Sequence, residues 1–226
     1  MKRILCVQEH VTVCVTMTIL FMAGSLFAQA VRQGQPAAGR GGDKESVEIK
    51  RMPPPNKTAM VRTPEFNYNV QNAQPKVSKK PREWALFEVK YESSAKWTDE
   101  LTFTYHVMTK GKSDEGKDSF SYYTAALRYV DIAKGEHMSC VAIPPSLVER
   151  YGEPVAVALE ITGKDGKVLD SKSETIMPLP KEWWKESSVM DKQIDNRPVV
   201  TRRNGLIDRA KTPFALINVD DYEVVQ

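Results

Sequence analysis

Few side chains in this sequence of 226 residues have the types and spacing that catalysis requires. Hydrolysis needs a base oriented against a nucleophile, or paired carboxylates in a shielded cleft. After residue 30 the chain has only His106, His137 and Cys140 as histidine or cysteine, and no Gly-x-Ser-x-Gly, His-x-x-x-His or Cys-x-x-Cys pattern. We therefore predict a non-enzymatic protein without catalytic residues, cofactor or metal site. A hydrolase is the weaker alternative.

Binding is the chemistry that the remaining side chains favour. Trp183 and Trp184 are adjacent, so in an extended chain one packs inward while the other is exposed, as a platform for a sugar ring or a protein partner. The alternative is that both close the end of the fold. With Trp97, Arg202 and Arg203 they form the candidate interaction surface. The arginines suit anionic glycans or lipid, but they also suit ordinary surface salt bridges.

The charge of the chain excludes a general polyanion binder. Lys and Arg number 32 against 29 Asp and Glu, so the net charge is only +3. Single-strand binders also place aromatic platforms among their basic residues, and few lie near Arg202 and Arg203. We do not expect nucleic acid as a partner.

The first 30 residues have the pattern of a secretory signal peptide. Lys2 and Arg3 precede an uncharged run from residue 11 to residue 27, and Ala28-Gln29-Ala30 gives the small-x-small site that signal peptidase cleaves. We predict cleavage after Ala30 and export to the periplasm, the outer membrane or the cell surface, with no membrane span afterwards. The alternative is an uncleaved anchor helix.

Alternating hydrophobicity predicts the elements that must carry these residues. Apolar side chains repeat every second residue in several short runs, and Asp165-Gly166 is a hairpin signal. His106 lies opposite the apolar face of its run and is expected to face solvent. A helix stays possible over 120–132, and one helical turn is expected over 146–151, ended by Gly152. The predicted strands are 65–70, 84–92, 101–108, 137–143, 155–161 and 168–175.

Several short strands without amphipathic helices between them predict an all-β, immunoglobulin-like β-sandwich. We assign residues 1–30 to the signal peptide, 31–64 to a disordered, Pro-rich linker, 65–180 to the sandwich and 181–226 to a C-terminal extension packed on it. Phe214 to Val225 is apolar and alternating, and we expect it to be buried, either as a strand on its own sandwich or on a partner. Cys140 is expected to be a buried, inert thiol.

Beyond these patterns, the sequence resembles a group of exported proteins of Verrucomicrobia-type bacteria, encoded with a type IV pilus-like apparatus. The resemblance is carried by three segments: Trp84-Ala85-Leu86-Phe87-Glu88-Val89, Lys96-Trp97-Thr98-Asp99-Glu100-Leu101, and the ending from Arg209 to Leu216. It implies an immunoglobulin-like fold and an envelope or pilus-associated role, with proteins of that apparatus as partners. A carbohydrate-binding module for host or envelope glycans is the alternative function. The sequence departs from pilins in lacking a prepilin leader.

Overall fold

The structure is a computed structural model and describes residues 46–56, 59–63, 81–194 and 197–215, the side chain of Arg197 excepted. All of these lie in the second of two compact units, Gly41–Gln226. The predicted signal peptide with Ala28 and Ala30, the strand 65–70 and most of the tail after Phe214 fall outside the described residues.

The described chain is almost entirely β-structure. The strands are β1 (Val47–Arg51), β2 (Met60–Arg62), β3 (Glu83–Lys112), β4 (Asp118–Ile143), β5 (Glu153–Gly163), β6 (Val168–Thr175), β7 (Gln193–Ile194), β8 (Arg197–Pro198), β9 (Val200–Arg203) and β10 (Ile207–Asp208). The two α-helices are short: α1 (Pro145–Tyr151) and α2 (Ser187–Met190). Eight strands form one sheet in the order β10-β4-β3-β5-β6, with β1 and β2 on β3 and β9 on β4; β7 and β8 pair separately.

A long hairpin of β3 and β4 folds over to make both layers of the sandwich. Their pairing runs from Lys112 and Asp118 to Ala85 and Ile143 and is interrupted between Ser93 and Trp97. At this bend, Asp131 and Gly135 of β4 have positive φ angles. The first layer holds β1, β2, β10 and the halves of β3 and β4 near residues 83 and 143. The second holds β5, β6, β9 and the other halves.

One core joins the two layers, because alternate residues of both halves of the hairpin face each other. Its members include Phe87, Val89 and Tyr91 from the first layer and Phe103, Tyr105 and Val107 from the second. The edges of β1 and β6 also meet, and the backbone N–H of Ile49 donates to Asp170 Oδ2 at 2.7 Å. This confirms the predicted all-β sandwich.

Residues of the C-terminal extension cover the outer faces of both layers. On the second layer, Met108, Tyr122, Ala156 and Ala158 are covered by Trp183, Trp184, Met190 and Val200. On the first layer, Leu86, Cys140 and Ala142 are covered by Phe214. The sandwich therefore buries three apolar clusters, and each of them includes at least one residue after 180, since Leu206 joins the main core.

Two boundaries differ from the sequence predictions, and one helical turn agrees with them. Val47–Arg51 and Met60–Arg62, assigned to the linker 31–64, are strands β1 and β2, because Val47 and Ile49 reach the main core. The runs 84–92 and 101–108 are halves of one strand, and so are 120–132 and 137–143, which removes the possible helix. The predicted turn 146–151 is α1, and it ends at Gly152, whose φ is 90°. A Cβ there would lie 1.9 Å from the Lys110 carbonyl oxygen, so only glycine fits.

Candidate interaction surface

His106 is buried, which corrects the expectation that it faces solvent. It points to the outer face of β3, which the C-terminal extension covers, and is 8% exposed. Its Nδ1 and the Tyr122 hydroxyl share a hydrogen bond of 2.6 Å. The imidazole stacks near-parallel to the rings of Tyr122 and Trp184, at 6.0 and 5.5 Å between centroids. The imidazole of His106 is thus enclosed by aromatic rings.

Glu160 and Lys185 complete this cluster. Glu160 Oε2 lies 3.6 Å from His106 Nε2, and Lys185 Nζ lies 2.5 Å from Glu160 Oε1. Burial lowers the pKa of His106, and the nearby charge of Glu160 opposes this only in part. Partial burial acts to raise the pKa of Glu160, but the interactions with Lys185 and Trp184 outweigh it, so the net pKa is lowered. At neutral pH a neutral imidazole therefore faces an ionised carboxylate.

This arrangement encloses the histidine within the protein. A histidine beside a carboxylate has the composition of a general base, but a base must reach a proton on its substrate. Here the two imidazole nitrogens face Tyr122 and Glu160, and Trp184 covers the ring. Within the described ranges, no group of three or more His, Cys, Asp or Glu side chains is placed to hold a metal ion.

Trp183 and Trp184 are both buried, so neither is a binding platform. They are 0% and 8% exposed and meet edge to face at 5.8 Å. The segment 181–185 is a turn rather than an extended strand, so the two adjacent side chains do not point in opposite directions. The alternative interpretation of this pair, in which both close the sandwich, is the one that the structure supports.

Trp97, by contrast, is 56% exposed. It lies at the bend of β3, where the pairing with β4 resumes opposite Ala133. The buried hydroxyls of Ser93 and Thr98 share a hydrogen bond of 3.1 Å across the base of this bulge. Lys96 and Asp99 beside it are exposed, and Asp99 lies 3.8 Å from Lys164 of the β5–β6 turn. The bend therefore holds an exposed indole whose neighbours in the chain, Lys96 and Asp99, are exposed as well.

Arg202 and Arg203 do not form a common patch. They are successive residues of β9, and their side chains point to opposite faces of the sheet. Arg202 is exposed and lies 3.5 Å from Asp191. Arg203 is half-buried: its Nε donates to Ser121 Oγ at 2.9 Å, and its guanidinium stacks 3.7 Å above the ring of Tyr151. Both arginines therefore have partners within the protein.

A cleft of about 780 Å³ was missed by the sequence analysis. The turn between β3 and β4 contributes Asp114, Glu115 and Lys117 to it, and Ile194 and Pro198 come from the extension. Ile194 is 57% exposed. No local pattern marks this cleft in the sequence, because the charged turn and Ile194 lie far apart in the chain and meet only in the fold.

Cys140 is the buried, inert thiol that the sequence predicts. It is 3% exposed and packs beside Leu86 and Phe214. Burial, with a smaller contribution from the charge of Glu88, raises the pKa of its thiol to about 12. At neutral pH the group is therefore protonated and unreactive.

Comparison with known proteins agrees with this fold. A family model matches residues 42–226, so the chain belongs to the family that this model describes. Three solved chains match, among them a crystal structure from Akkermansia muciniphila, a member of the Verrucomicrobia. That structure has a TM-score of 0.61 and 18% identity, and the match covers 81% of this chain and 94% of that one. A search of curated proteins gives no match. Within the described ranges, no helix has the length and apolarity of a membrane span.

Proposed function

We propose that the protein is a non-enzymatic, exported component of the cell envelope: an immunoglobulin-like interaction module that docks onto proteins of a type IV pilus-like system. The observation that carries this proposal is the exposed indole of Trp97, held at the bend of the sandwich. Membership of the family and the Verrucomicrobia origin of the matching crystal structure support the cellular setting.

Trp97 has the properties of an interface anchor. Tryptophan is enriched among residues that dominate binding energy, above all where neighbouring groups form a polar rim around it. Lys96, Asp99 and Lys164 supply such a rim. The hydrogen bond between Ser93 and Thr98 fixes the bulge before any partner arrives, so little conformational entropy is lost on docking.

The enclosed histidine cluster supports the non-enzymatic part of the proposal. His106, Glu160 and Lys185 are the described residues that most resemble catalytic machinery, yet Glu160 lies between the other two and Trp184 stacks on the imidazole. The cleft beside the β3–β4 turn is lined by other residues. Catalysis at this cluster would require the extension to leave the second layer.

The alternative function, glycan binding, depends on the same indole. A flat, exposed tryptophan is also a platform for a sugar ring. Of the three tryptophans in the candidate surface, Trp97 alone has the exposure for that role, since Trp183 and Trp184 are buried. The same variant, Trp97→Ala, therefore tests both functions, and the identity of the bound partner distinguishes them.

Affinity capture tests the proposal. The chain from residue 31 onwards serves as bait in envelope extract, beside Trp97→Ala and a control, Ile176→Ala, which removes another exposed apolar side chain. We expect protein components of the pilus-like apparatus to bind the wild type and the control, and to be reduced about tenfold or more with Trp97→Ala. Glycan-array binding that depends on Trp97, without captured protein, would establish the alternative. Undiminished capture by Trp97→Ala would refute Trp97 as the contact.

A further inference from the structure

Two arginines lie over the same aromatic ring at the end of helix α1. The Cζ atom of Arg203 is 3.7 Å from the ring centroid of Tyr151, and that of Arg150 is 5.2 Å from it. The distance between the two Cζ atoms cannot exceed the sum of these distances, 8.9 Å. Like charges this close repel each other, and an anion bound to both of them removes that repulsion.

Neither of these guanidinium groups has a carboxylate partner among the described residues, which distinguishes them from most arginines of the fold. Carboxylate oxygens lie within 4.0 Å of Arg62, Arg82, Arg128, Arg202 and Arg209. In the described ranges, no ion pair is found for Arg150 or Arg203. Glu149, which precedes Arg150 in the chain, is bound by Arg82 at 2.7 Å. Glu153 forms no described ion pair with either arginine. The positive charge of the two side chains is therefore not neutralised by a described contact.

Contacts within the fold fix the positions of Arg203 and Tyr151. The Nε of Arg203 donates to the buried Ser121 Oγ at 2.9 Å, and β9 holds its backbone beside β4. The carbonyl oxygen of Tyr151 accepts a hydrogen bond of 3.1 Å from Thr109 Oγ1. Gly152, the next residue, packs so closely against β3 that a Cβ would not fit. An anion that binds here therefore finds most of its site already ordered.

Both arginines keep hydrogen-bond donors that an anion can use. A guanidinium group that stacks on a ring uses its face, while its N–H groups lie in its plane and remain able to donate. The bond to Ser121 uses only the Nε of Arg203, so neither of its Nη groups has an acceptor among the described residues. Arg150 is exposed, and it has no hydrogen bond to any part of the chain that the structure describes. Donors of two cationic groups are therefore available at one place on the surface.

Phosphate is the anion that this geometry suits best. The planar fork of an arginine matches the oxygens of phosphate or carboxylate with two parallel N–H···O bonds. A phosphate monoester carries a charge of about −1.5 to −2 at neutral pH, which matches two guanidinium groups, whereas a carboxylate carries a single charge. Its three free oxygens point in different directions, so bonds of about 2.8 Å from both arginines can reach one phosphate across the gap.

We infer that Arg150 and Arg203, which share the ring of Tyr151, form a binding site for inorganic phosphate or a phosphate monoester. Arg203 supplies the part of the site that the fold holds in place, and Arg150 supplies the exposed part. The phosphate belongs either to a soluble molecule or to a lipid headgroup, and the chemistry of recognition is the same. This inference is independent of the function proposed for Trp97.

Titration of the chain from residue 31 with inorganic phosphate tests the inference, followed by the backbone amide NMR signals around Arg150, Tyr151 and Arg203. We expect these signals to shift to saturation with a dissociation constant of about 1 mM or lower. Arg150→Gln should weaken binding about tenfold or more, and its melting temperature should stay within about 2 °C of the wild type, because the side chain is exposed. The matched control is Arg51→Gln, which removes an exposed arginine that also lacks a described ion pair but has no described contact with a ring. It should leave the affinity unchanged.

Cosedimentation with phosphatidylcholine vesicles that contain phosphatidic acid distinguishes the two sources of phosphate. Vesicle binding that inorganic phosphate competes for and that Arg150→Gln loses would assign a lipid headgroup. Absence of vesicle binding by a protein that binds inorganic phosphate would assign a soluble ligand. The inference would be overturned by the absence of a saturable shift with phosphate, or by undiminished binding in Arg150→Gln. An equal loss of binding in Arg51→Gln would also overturn it, since the effect would then come from net charge alone.

Discussion

Replacing Trp183 by Ala measures how firmly the C-terminal extension is docked. Trp183 is 0% exposed and contacts Tyr122 and Trp184 edge to face, at 6.1 and 5.8 Å between ring centroids. Truncating a fully buried aromatic side chain to Ala costs about 3–5 kcal/mol, because transfer energy is lost and a cavity remains. In a domain of this size about 1 kcal/mol moves the melting temperature by roughly 2–4 °C. We therefore expect melting to fall by roughly 6–20 °C.

Thermal melting followed by circular dichroism makes this comparison, with Trp97→Ala as the matched control. The control makes the same substitution at an exposed site, where the cost is within about 0.5 kcal/mol and the midpoint moves by about 2 °C or less. A Trp183→Ala midpoint no lower than that of the control would refute the packing of the extension against the second layer.

Four further predictions follow from burial and from the signal pattern. Because the pKa of His106 is lowered in the folded state, the unfolded state binds the proton more tightly. The free energy of unfolding should therefore fall as the pH drops below about 6.5. In denaturant titrations from about pH 7.5 to 5.5, His106→Gln should flatten this dependence. Cys140 should resist thiol reagents at about pH 8 until denaturant is added, whereas labelling of the native protein would contradict its burial. Phe214→Ala should lower the melting temperature by several degrees, and an unchanged melting temperature would show that Phe214 is not packed against the first layer. Protein sequenced from the envelope fraction should begin at Val31, and retained Met1 would indicate an anchor.

The layers and turns of the sandwich follow closely from the sequence. The alternation in 84–92, 101–108 and 155–161 places every apolar residue of those runs in the main core or an adjoining cluster. Asp165-Gly166 makes the predicted hairpin, because Gly166 adopts a positive φ of 76°. The continuity of β3 and β4 was not predictable in the same way. The polar residues around Ser93 and Gly135 have the composition of a turn between strands, but in the structure they form a bend within each strand.

The candidate surface was harder to predict because exposure depends on distant segments. The alternation around His106 correctly places it opposite the core, but the face it points to is covered by residues almost eighty positions later in the chain. Trp183 and Trp184 form part of that cover, so the same docking of the extension buries them and His106. The exposure of Trp97 depends on no distant segment, because Trp97 does not belong to the apolar face of any alternating run.

The folded-over hairpin also favours one order of assembly. Lys112 and Asp118 are close in sequence, so the first β3–β4 contacts close a small loop. Ala85 and Ile143, at the far end of the same ladder, enclose the whole hairpin, and their contact closes a far larger loop. Pairing that spreads from the 113–117 turn forms the second-layer part of the β3–β4 ladder before it reaches the bend, and the first-layer part of that ladder follows. Trp97 lies at the bend, so its site forms at the step where the hairpin folds over to make the two layers.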